Sequence, residues 1–215
     1  MRRNTIAIVL SLSFVVAGLA IFFSIKKPNS ATQIPGIDFT QPEHPVTSKM
    51  IEDAEKLALK PAPEYQLMSV REEPVKISGQ REKPQFVLFI LDGCPCSIDA
   101  QPLFNSLAKQ WKDKVEFVGV IDSDQKKGRV WTQDYRPVFP VVSDSKKEII
   151  KAYGAKQSVY CALISTDGKI VKLWPGYSQD MMKEMNEKIA GEVGVEAKAF
   201  DAKYAPNEKT SGCFF

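Results

Sequence analysis

The side chains of this sequence best suited to chemistry are its four cysteines, two of which lie one residue apart. Cys94 and Cys96 fall in the stretch LDGCPCSIDAQP, directly after the apolar run QFVLFI. An apolar run of this length predicts a buried strand, and the residues after Cys96 have helical spacing. A thiol at the first turn of a helix meets unpaired N–H groups and the positive end of the helix dipole, which favour the nucleophilic thiolate. Cys94 is therefore predicted to be an attacking thiol that solvent can reach.

The partner of Cys94 in a disulfide is left open by the sequence. Within a regular helix, residues i and i+2 point to different sides, so Cys94 and Cys96 could bridge only in a turn, as a small strained ring. Such strain makes a disulfide more oxidising. Cys213, in the polar tail NEKTSGCFF, could return as a resolving thiol, pair with another chain or have no role.

The remaining candidate groups exclude several classes of site. Four cysteines are too few for a disulfide scaffold, and they lack the paired C-x₂-C spacing of a structural zinc site. The one histidine, His44, lies in a proline-rich stretch and is predicted to be a solvated linker residue. Without another histidine, a Cys-His or Ser-His hydrolase inside the domain is excluded. No cofactor is expected.

An apolar run without charge or proline spans Asn4 to Ile25, with Arg2 and Arg3 before it and two lysines after it. It is long enough to cross a bilayer core of about 30 Å. We expect an uncleaved single-pass anchor, with a cleaved signal peptide as the alternative. The chain after residue 27 has 25 basic and 26 acidic residues, and no basic stripe interleaves with aromatic residues. A nucleic-acid partner is therefore not expected.

Strand and helix patterns alternate from residue 85 onwards in the order β-α-β-α-β-α-β-β-α. Parallel βαβ units followed by an antiparallel hairpin and a helix predict a three-layer α/β sandwich with a central mixed sheet. Reactive groups in such folds lie at the carboxyl end of a central strand, near a helix N-terminus, where Cys94 and Cys96 fall. The predicted organisation is a membrane anchor over 1–27, a proline-rich tether and short helix over 28–75, the α/β domain over 76–192 and a C-terminal extension over 193–215.

Three segments of the chain resemble the thioredoxin-like superfamily, nearest to its redoxin and alkyl hydroperoxide reductase–thiol-specific antioxidant branch. FVLFILDGCPCS resembles the strand and active-site turn of that family, and Pro102 falls where the first helix of the family carries its kinking proline. FPVVSDSKKEIIKAYGA resembles a peroxiredoxin-type segment, and ALISTDGKIVKLWPGY resembles the closing hairpin. The resemblance covers roughly residues 76–190 and implies a thioredoxin-like fold.

The departures from the family pattern concern the reactive groups. If Cys94 is the first cysteine of the family's C-x-x-C motif, the second position is Ser97, and Cys96 comes one residue early. The family's cis-proline aligns with Val159, and the peroxidase signature P-x-x-x-T-x-x-C is absent. In this fold the strand after Val159 faces the active-site loop, which implies that Cys161 is near Cys94 and Cys96.

Taken together, the residues and the resemblance predict a membrane-anchored thiol–disulfide oxidoreductase with a C-x-C site. Cys94 is expected to attack, and Cys96 or Cys161 to resolve, with protein or small-thiol disulfides as substrates. The domain is expected on the extracytoplasmic side, where disulfides persist, with a membrane protein complex as a further candidate partner. One alternative is an inactive redoxin-like subunit or scaffold; another is Cu(I) or zinc binding by Cys94, Cys96 and Cys161.

Overall fold

A five-stranded mixed sheet is the centre of the fold in the computed structural model, which describes residues 44–215. The predicted anchor and residues 28–43 of the predicted tether lie outside the described residues. In chain order the elements are α1 (Ser48–Glu55), β1 (Tyr65–Met68), β2 (Pro74–Ile77), β3 (Gln85–Ile90), α2 (Pro95–Trp111), β4 (Glu116–Ile121), α3 (Gln125–Tyr135), β5 (Val141–Ser143), α4 (Glu148–Ala152), β6 (Tyr160–Ile164), β7 (Ile170–Trp174) and α5 (Gln179–Glu192).

The strand order of the central sheet is β5-β4-β3-β6-β7. Strands β3, β4 and β5 run parallel, while β6 pairs antiparallel with β3 and β7 antiparallel with β6. This arrangement confirms the predicted element order from β3 onwards and the mixed sheet. A separate antiparallel hairpin of β1 and β2 precedes the sheet.

The central strand β3 supplies side chains to a separate core on each face of the sheet, because successive residues of a strand point to opposite sides. Phe86, Leu88 and Ile90 pack against residues of α2, α3 and α5. Val87 and Phe89 pack on the other face against residues of α1 and α4. All six residues of β3 are buried, so the sheet is the middle layer of a three-layer sandwich, as predicted.

Helix α2 begins where β3 leaves the core. Pro95 occupies its first turn, where a missing backbone N–H costs nothing, and Cys94 is the N-cap residue. The helix continues through Pro102, and its buried face includes the predicted stripe of Leu103, Leu107 and Trp111. The end of β3 and the start of α2 thus place Cys94 at the carboxyl edge of the parallel strands.

The chain after α5 has no helix and returns to that same edge of the sheet. Asn186 of α5 donates from its side-chain amide to the Lys198 carbonyl at 2.8 Å, and its Oδ1 accepts from Trp111 Nε1 at 3.0 Å. Further along, Thr210 forms isolated β-bridges with Pro45 and with Tyr177. The C-terminal extension is therefore part of the folded domain.

Within residues 44–215, every helix is too short or too polar to cross a bilayer.

Candidate functional site

Cys94 is held at the junction of β3 and α2 by its own backbone. Its N–H donates to the Leu91 carbonyl at 3.2 Å, and its carbonyl accepts from Ser97 N–H at 3.1 Å and from Ile98 N–H at 3.2 Å. Gly93, just before it, has φ +77°, a conformation that glycine adopts without steric cost. The turn and the first helical bonds together fix the direction in which the sulfur projects.

The Cys94 side chain is buried rather than open to solvent: the residue is 2% exposed. The prediction that solvent reaches this sulfur is therefore wrong. Its cover is the C-terminal tail, which we define as residues 209–215. A Cβ built on the tail residue Gly212 would lie 3.2 Å from Cys94 Sγ, which shows how closely the tail backbone passes.

The tail is an extended segment that pairs with the loop before β6. Gly212 N–H donates to the Ser158 carbonyl at 2.9 Å, and Ser158 N–H donates to the Cys213 carbonyl at 2.9 Å. Phe215 N–H donates to the Lys156 carbonyl at 3.1 Å. These are the bonds of a short antiparallel ladder. The tail therefore occupies its position through backbone pairing, the same kind of interaction that holds a strand in a sheet.

The tail brings Cys213 next to Cys94. The two Sγ atoms are 3.2 Å apart, although the residues are 119 positions apart in the chain. A disulfide bond has an S–S length of about 2.05 Å, so the two sulfur atoms are in contact and not bonded to each other in this structure. Sulfur atoms at this separation need only a small movement to bond. Among the possible partners left open by the sequence, Cys213 has its sulfur in direct contact with that of Cys94.

The surroundings of the Cys94 sulfur favour its thiolate. Burial by itself raises the pKa of the thiol, but hydrogen bonds to the sulfur outweigh it and lower the pKa to about 7. The donors are Cys213 N–H at 3.3 Å, the Ser158 hydroxyl at 3.3 Å and the Cys213 thiol, with Ser97 N–H also contributing. The tail and Ser158 thus contribute most of the stabilisation that the sequence assigned to the helix terminus.

Ser158 owes its position to an unusual backbone turn. Val159, the next residue, has φ +59°, a left-handed conformation that is a genuine outlier for a β-branched side chain. Its N–H donates to the Phe89 carbonyl at 2.9 Å, which ties the turn to the central strand. Backbone strain of this kind persists only where the surroundings hold it, and it concentrates at functional sites. Here it lies beside the hydroxyl that donates to Cys94.

Cys96 is on the first turn of α2 and is half-buried. It lines a surface groove of about 840 Å³ together with residues of α2, α3 and the chain after α5. Tyr177, buried in this groove, has its pKa raised by burial and by the negative charges of Cys96, Asp99 and Cys94. Cys96 therefore lies close to the Cys94 site, and its predicted role as a resolving thiol stays a prediction.

Cys161 is in β6, where it pairs with Leu88 of β3, and its side chain is fully buried. Its Sγ donates to the Val159 carbonyl at 3.6 Å. Burial raises the pKa of this thiol well above its usual value, so the thiol stays protonated. A protonated thiol is a poor nucleophile. The catalytic role of Cys161 stays a prediction, and the environment of its sulfur does not favour it.

His44 is part of this site, so its predicted status as a solvated linker residue is wrong. It is half-buried, and its Nε2 lies 3.6 Å from Cys213 Sγ. The His44 carbonyl accepts from Ser211 N–H at 2.7 Å, which fixes the start of the described chain to the tail. No local pattern in the sequence predicts that segments 167 residues apart meet.

Among residues 44–215, no group of three His, Cys, Asp or Glu side chains is arranged to hold a metal ion. The metal-binding alternative for Cys94, Cys96 and Cys161 therefore finds no ligand set in this part of the chain.

The pKa of Cys94 predicts how the reactivity of its sulfur depends on pH. We expect the alkylation rate of Cys94 by iodoacetamide to rise with pH through a midpoint near 7, because only the thiolate reacts. Ser158→Ala removes one donor to the thiolate, so it should move that midpoint upward by about half to one pH unit. Peptide-resolved mass spectrometry over a pH series measures both values.

Ser106→Ala is the matched control for the pH series. The Ser106 hydroxyl donates to the Pro102 carbonyl within α2 and not to the Cys94 sulfur. It should leave the midpoint unchanged. An unshifted midpoint in Ser158→Ala would contradict the assigned role of the hydroxyl.

The burial of Cys94 under the tail leads to a separate prediction for Gly212. A Cβ at this position would lie 1.9 Å from Ser158 Oγ, so Gly212→Ala must displace either the tail or the hydroxyl that donates to Cys94. We expect faster Cys94 alkylation at high pH, where the thiol is ionised in both proteins, and a higher midpoint. Gly191→Ala is the control, because a Cβ there meets no atom within 4 Å. Equal rates in the two variants would show that the tail does not shield Cys94.

Comparisons with known proteins identify the family and the fold of the chain. A family model described as the AhpC/TSA family matches residues 58–173. The thiol-disulfide oxidoreductase ResA of Bacillus thuringiensis subsp. konkukian is 28% identical over 134 residues, which are 60% of this chain and 77% of that protein.

Two solved structures share the fold. An uncharacterized conserved protein from Geobacillus kaustophilus matches with a TM-score of 0.59 and 18% identity, over 73% of this chain and 90% of that one. A protein of Chlorobium tepidum assigned as a thiol:disulfide interchange protein DsbE matches with a TM-score of 0.56 and 20% identity, over 62% of this chain and 96% of that one. The fold is thus the thioredoxin-like α/β fold implied by the resemblance, and since the family model covers more than half of the sequence, the chain belongs to the AhpC/TSA family.

Proposed function

We propose that the protein is a thiol–disulfide oxidoreductase in which Cys94 attacks a substrate disulfide and Cys213 resolves the product. The observation that carries this proposal is the 3.2 Å contact between the two sulfur atoms at the N-terminus of α2. The name of the ResA relative supports the oxidoreductase class. Protein or small-thiol disulfides are the corresponding substrates.

The first step uses the lowered pKa of Cys94. Its thiolate attacks a substrate disulfide, forms a mixed disulfide with one substrate sulfur and releases the other as a thiolate. While the tail covers the site, the pKa of about 7 leaves roughly half of the Cys94 sulfur ionised at pH 7, against a few per cent for a thiol of ordinary pKa, so the thiolate is already formed when the tail opens. Cys94 is therefore prepared for attack at neutral pH, and better prepared than the fully buried Cys161.

The second step uses the nearness of Cys213. Its sulfur attacks Cys94 Sγ in the mixed disulfide, forms the Cys94–Cys213 bond and releases the substrate thiol. Two protein thiols are oxidised and one substrate disulfide is reduced, and the same steps in reverse oxidise a substrate dithiol. Because the tail already holds the two sulfur atoms 3.2 Å apart, this step needs no large search by the chain.

Substrate access requires local opening of the tail, since Cys94 is 2% exposed. The tail is attached in two places: Thr210 and Ser211 bond to His44 and Tyr177, and the last residues bond to the 156–158 loop. Lifting the last residues alone would uncover Cys94 while the first attachment keeps Cys213 near. Cys96 and Cys161 stay as alternative resolving thiols, and the inactive scaffold as an alternative function.

Disulfide mapping distinguishes these alternatives. After oxidation with glutathione disulfide, we expect a Cys94–Cys213 disulfide in the wild type and in the Cys96→Ser and Cys161→Ser variants. Cys213→Ser should instead accumulate glutathione on Cys94 and reduce protein disulfides at least about tenfold more slowly, because the resolving thiol is absent. Cys94→Ser should have no activity, because no attacking thiol remains. The measurements are peptide mapping with and without reduction, and turnover of insulin disulfides.

The outcome that contradicts Cys213 as the resolving thiol is a Cys94–Cys96 or Cys94–Cys161 bond in the wild type. A wild type without any exchangeable disulfide or turnover would support the scaffold alternative.

We further propose that the protein is anchored in the membrane by the apolar run within residues 1–27, with its domain on the extracytoplasmic side and a membrane protein complex as a candidate partner. The uncharged run from Asn4 to Ile25 and its flanking basic residues support the anchor. An oxidising compartment suits a thiol–disulfide oxidoreductase.

The anchor predicts a simple fractionation result. In a bacterial host, the full-length chain should stay with the membranes after carbonate washing, and protease added to spheroplasts should digest its domain. A variant without residues 1–27 should be soluble and protected from the protease. Recovery of the full-length chain in the soluble fraction, or its protection from the protease, would contradict the proposal.

A further inference from the structure

The Cys94–Cys213 pair has a third group beside it, the imidazole of His44. Its Nε2 lies 3.6 Å from Cys213 Sγ, within the range of a hydrogen bond to sulfur. His44 is the one histidine of the chain, and it is half-buried at this position. The sequence assigned it no chemistry because it lies far from every cysteine along the chain.

His44 is held there by the backbone around it and not by its side chain. Its carbonyl accepts from Ser211 N–H at 2.7 Å, from the Ser211 hydroxyl at 3.1 Å and from the Thr210 hydroxyl at 3.2 Å. Val46 N–H donates to the Lys209 carbonyl at 3.0 Å on the same side. These bonds set the distance between the imidazole and Cys213, two residues further along the tail, and they persist when the imidazole is removed.

The imidazole is placed for the second step of the exchange and not for the first. The Cys94 sulfur already receives hydrogen bonds from Cys213 and Ser158, which stabilise its thiolate. Once Cys94 carries a substrate sulfur, Cys213 has to lose its own proton, because a disulfide is attacked by a thiolate. Histidine is the side chain most often used to accept such a proton near neutral pH.

We propose, on the basis of the proposed function, that His44 is a catalytic residue that accepts the proton of Cys213 during resolution. His44 Nε2 takes the proton from Cys213 Sγ as this sulfur attacks Cys94 Sγ. The Cys94–Cys213 bond forms, the bond between Cys94 and the substrate sulfur breaks, and the electron pair of that bond leaves with the substrate thiolate. The imidazolium then returns its proton to the departing thiolate, so protons and electrons balance.

A rapid-quench experiment with glutathione disulfide separates the two steps. Mass spectrometry of the Cys94 peptide distinguishes free thiol, glutathione adduct and the link to Cys213 at each time. In His44→Ala we expect the adduct to form at the wild-type rate, within about twofold, and to convert to the Cys94–Cys213 link about tenfold more slowly or worse. Added imidazole should restore conversion in proportion to its concentration, because it supplies the missing proton acceptor.

Thr210→Val is the control for tail position, because it removes the hydroxyl bond to the His44 carbonyl and keeps the imidazole. Any slowing in this variant should not respond to imidazole. The alkylation midpoint of Cys94 in His44→Ala should equal that of the wild type, because the tail donors remain in place.

Two results would overturn the inference while leaving the proposed function intact. One is wild-type conversion in His44→Ala; the other is slow conversion that imidazole does not restore, which would make His44 a structural residue. The absence of any Cys94–Cys213 link in the wild type would instead remove the proposed function, and with it this step.

Discussion

The chemistry of this molecule depends on one short backbone pairing, the antiparallel contact between the loop before β6 and the last residues of the tail. Ser158 gives one N–H and one carbonyl to this pairing, and Gly212 and Cys213 give the matching groups. The pairing buries Cys94, delivers the Cys213 N–H to its sulfur and sets the distance between the two thiols. Loss of these bonds would affect all three properties together, whereas the sheet and its helices would keep their own hydrogen bonds.

Burial raises the pKa of the Cys94 thiol and hydrogen bonds to its sulfur lower it. The pKa is lower than that of an ordinary thiol, so the hydrogen bonds have the larger effect. Cys161, in the same sheet, is the internal comparison, because it is buried without comparable donors and its pKa is raised. Cys94 is also removed from solvent, yet donors from Ser158 and Cys213 bring its pKa down to about 7. The two cysteines therefore differ in the N–H, O–H and S–H groups directed at the sulfur, which lower the pKa of Cys94, and Cys161 also lies deeper in the core, where burial alone raises its pKa.

The sequence predicted the parts of the fold that depend on local patterns. The apolar run of β3, the stripe on α2 and the hairpin of β6 and β7 each follow from the spacing of residues over one element, and the structure has all three. The position of Cys94 at the end of β3 followed from the same patterns. The sequence did not predict the cover over Cys94 or the place of His44, because both arise from contacts between residues 119 to 169 positions apart. Periodicity carries no information about such pairs.

The tail contains the sequence Thr210-Ser211-Gly212-Cys213. Small and polar residues of this kind are typical of disordered chain termini, yet each of these four residues has a distinct structural role. The Thr210 hydroxyl bonds the His44 carbonyl, and Ser211, fully buried, bonds the same carbonyl through both its N–H and its hydroxyl. Gly212 passes too close to Ser158 for any side chain to fit. Small polar residues are required here because the segment has to be thin enough to cover Cys94 and polar enough to satisfy buried carbonyls. A tail with those two properties then places the Cys213 sulfur between Cys94 and His44, so the order of residues in the tail is itself a determinant of the site.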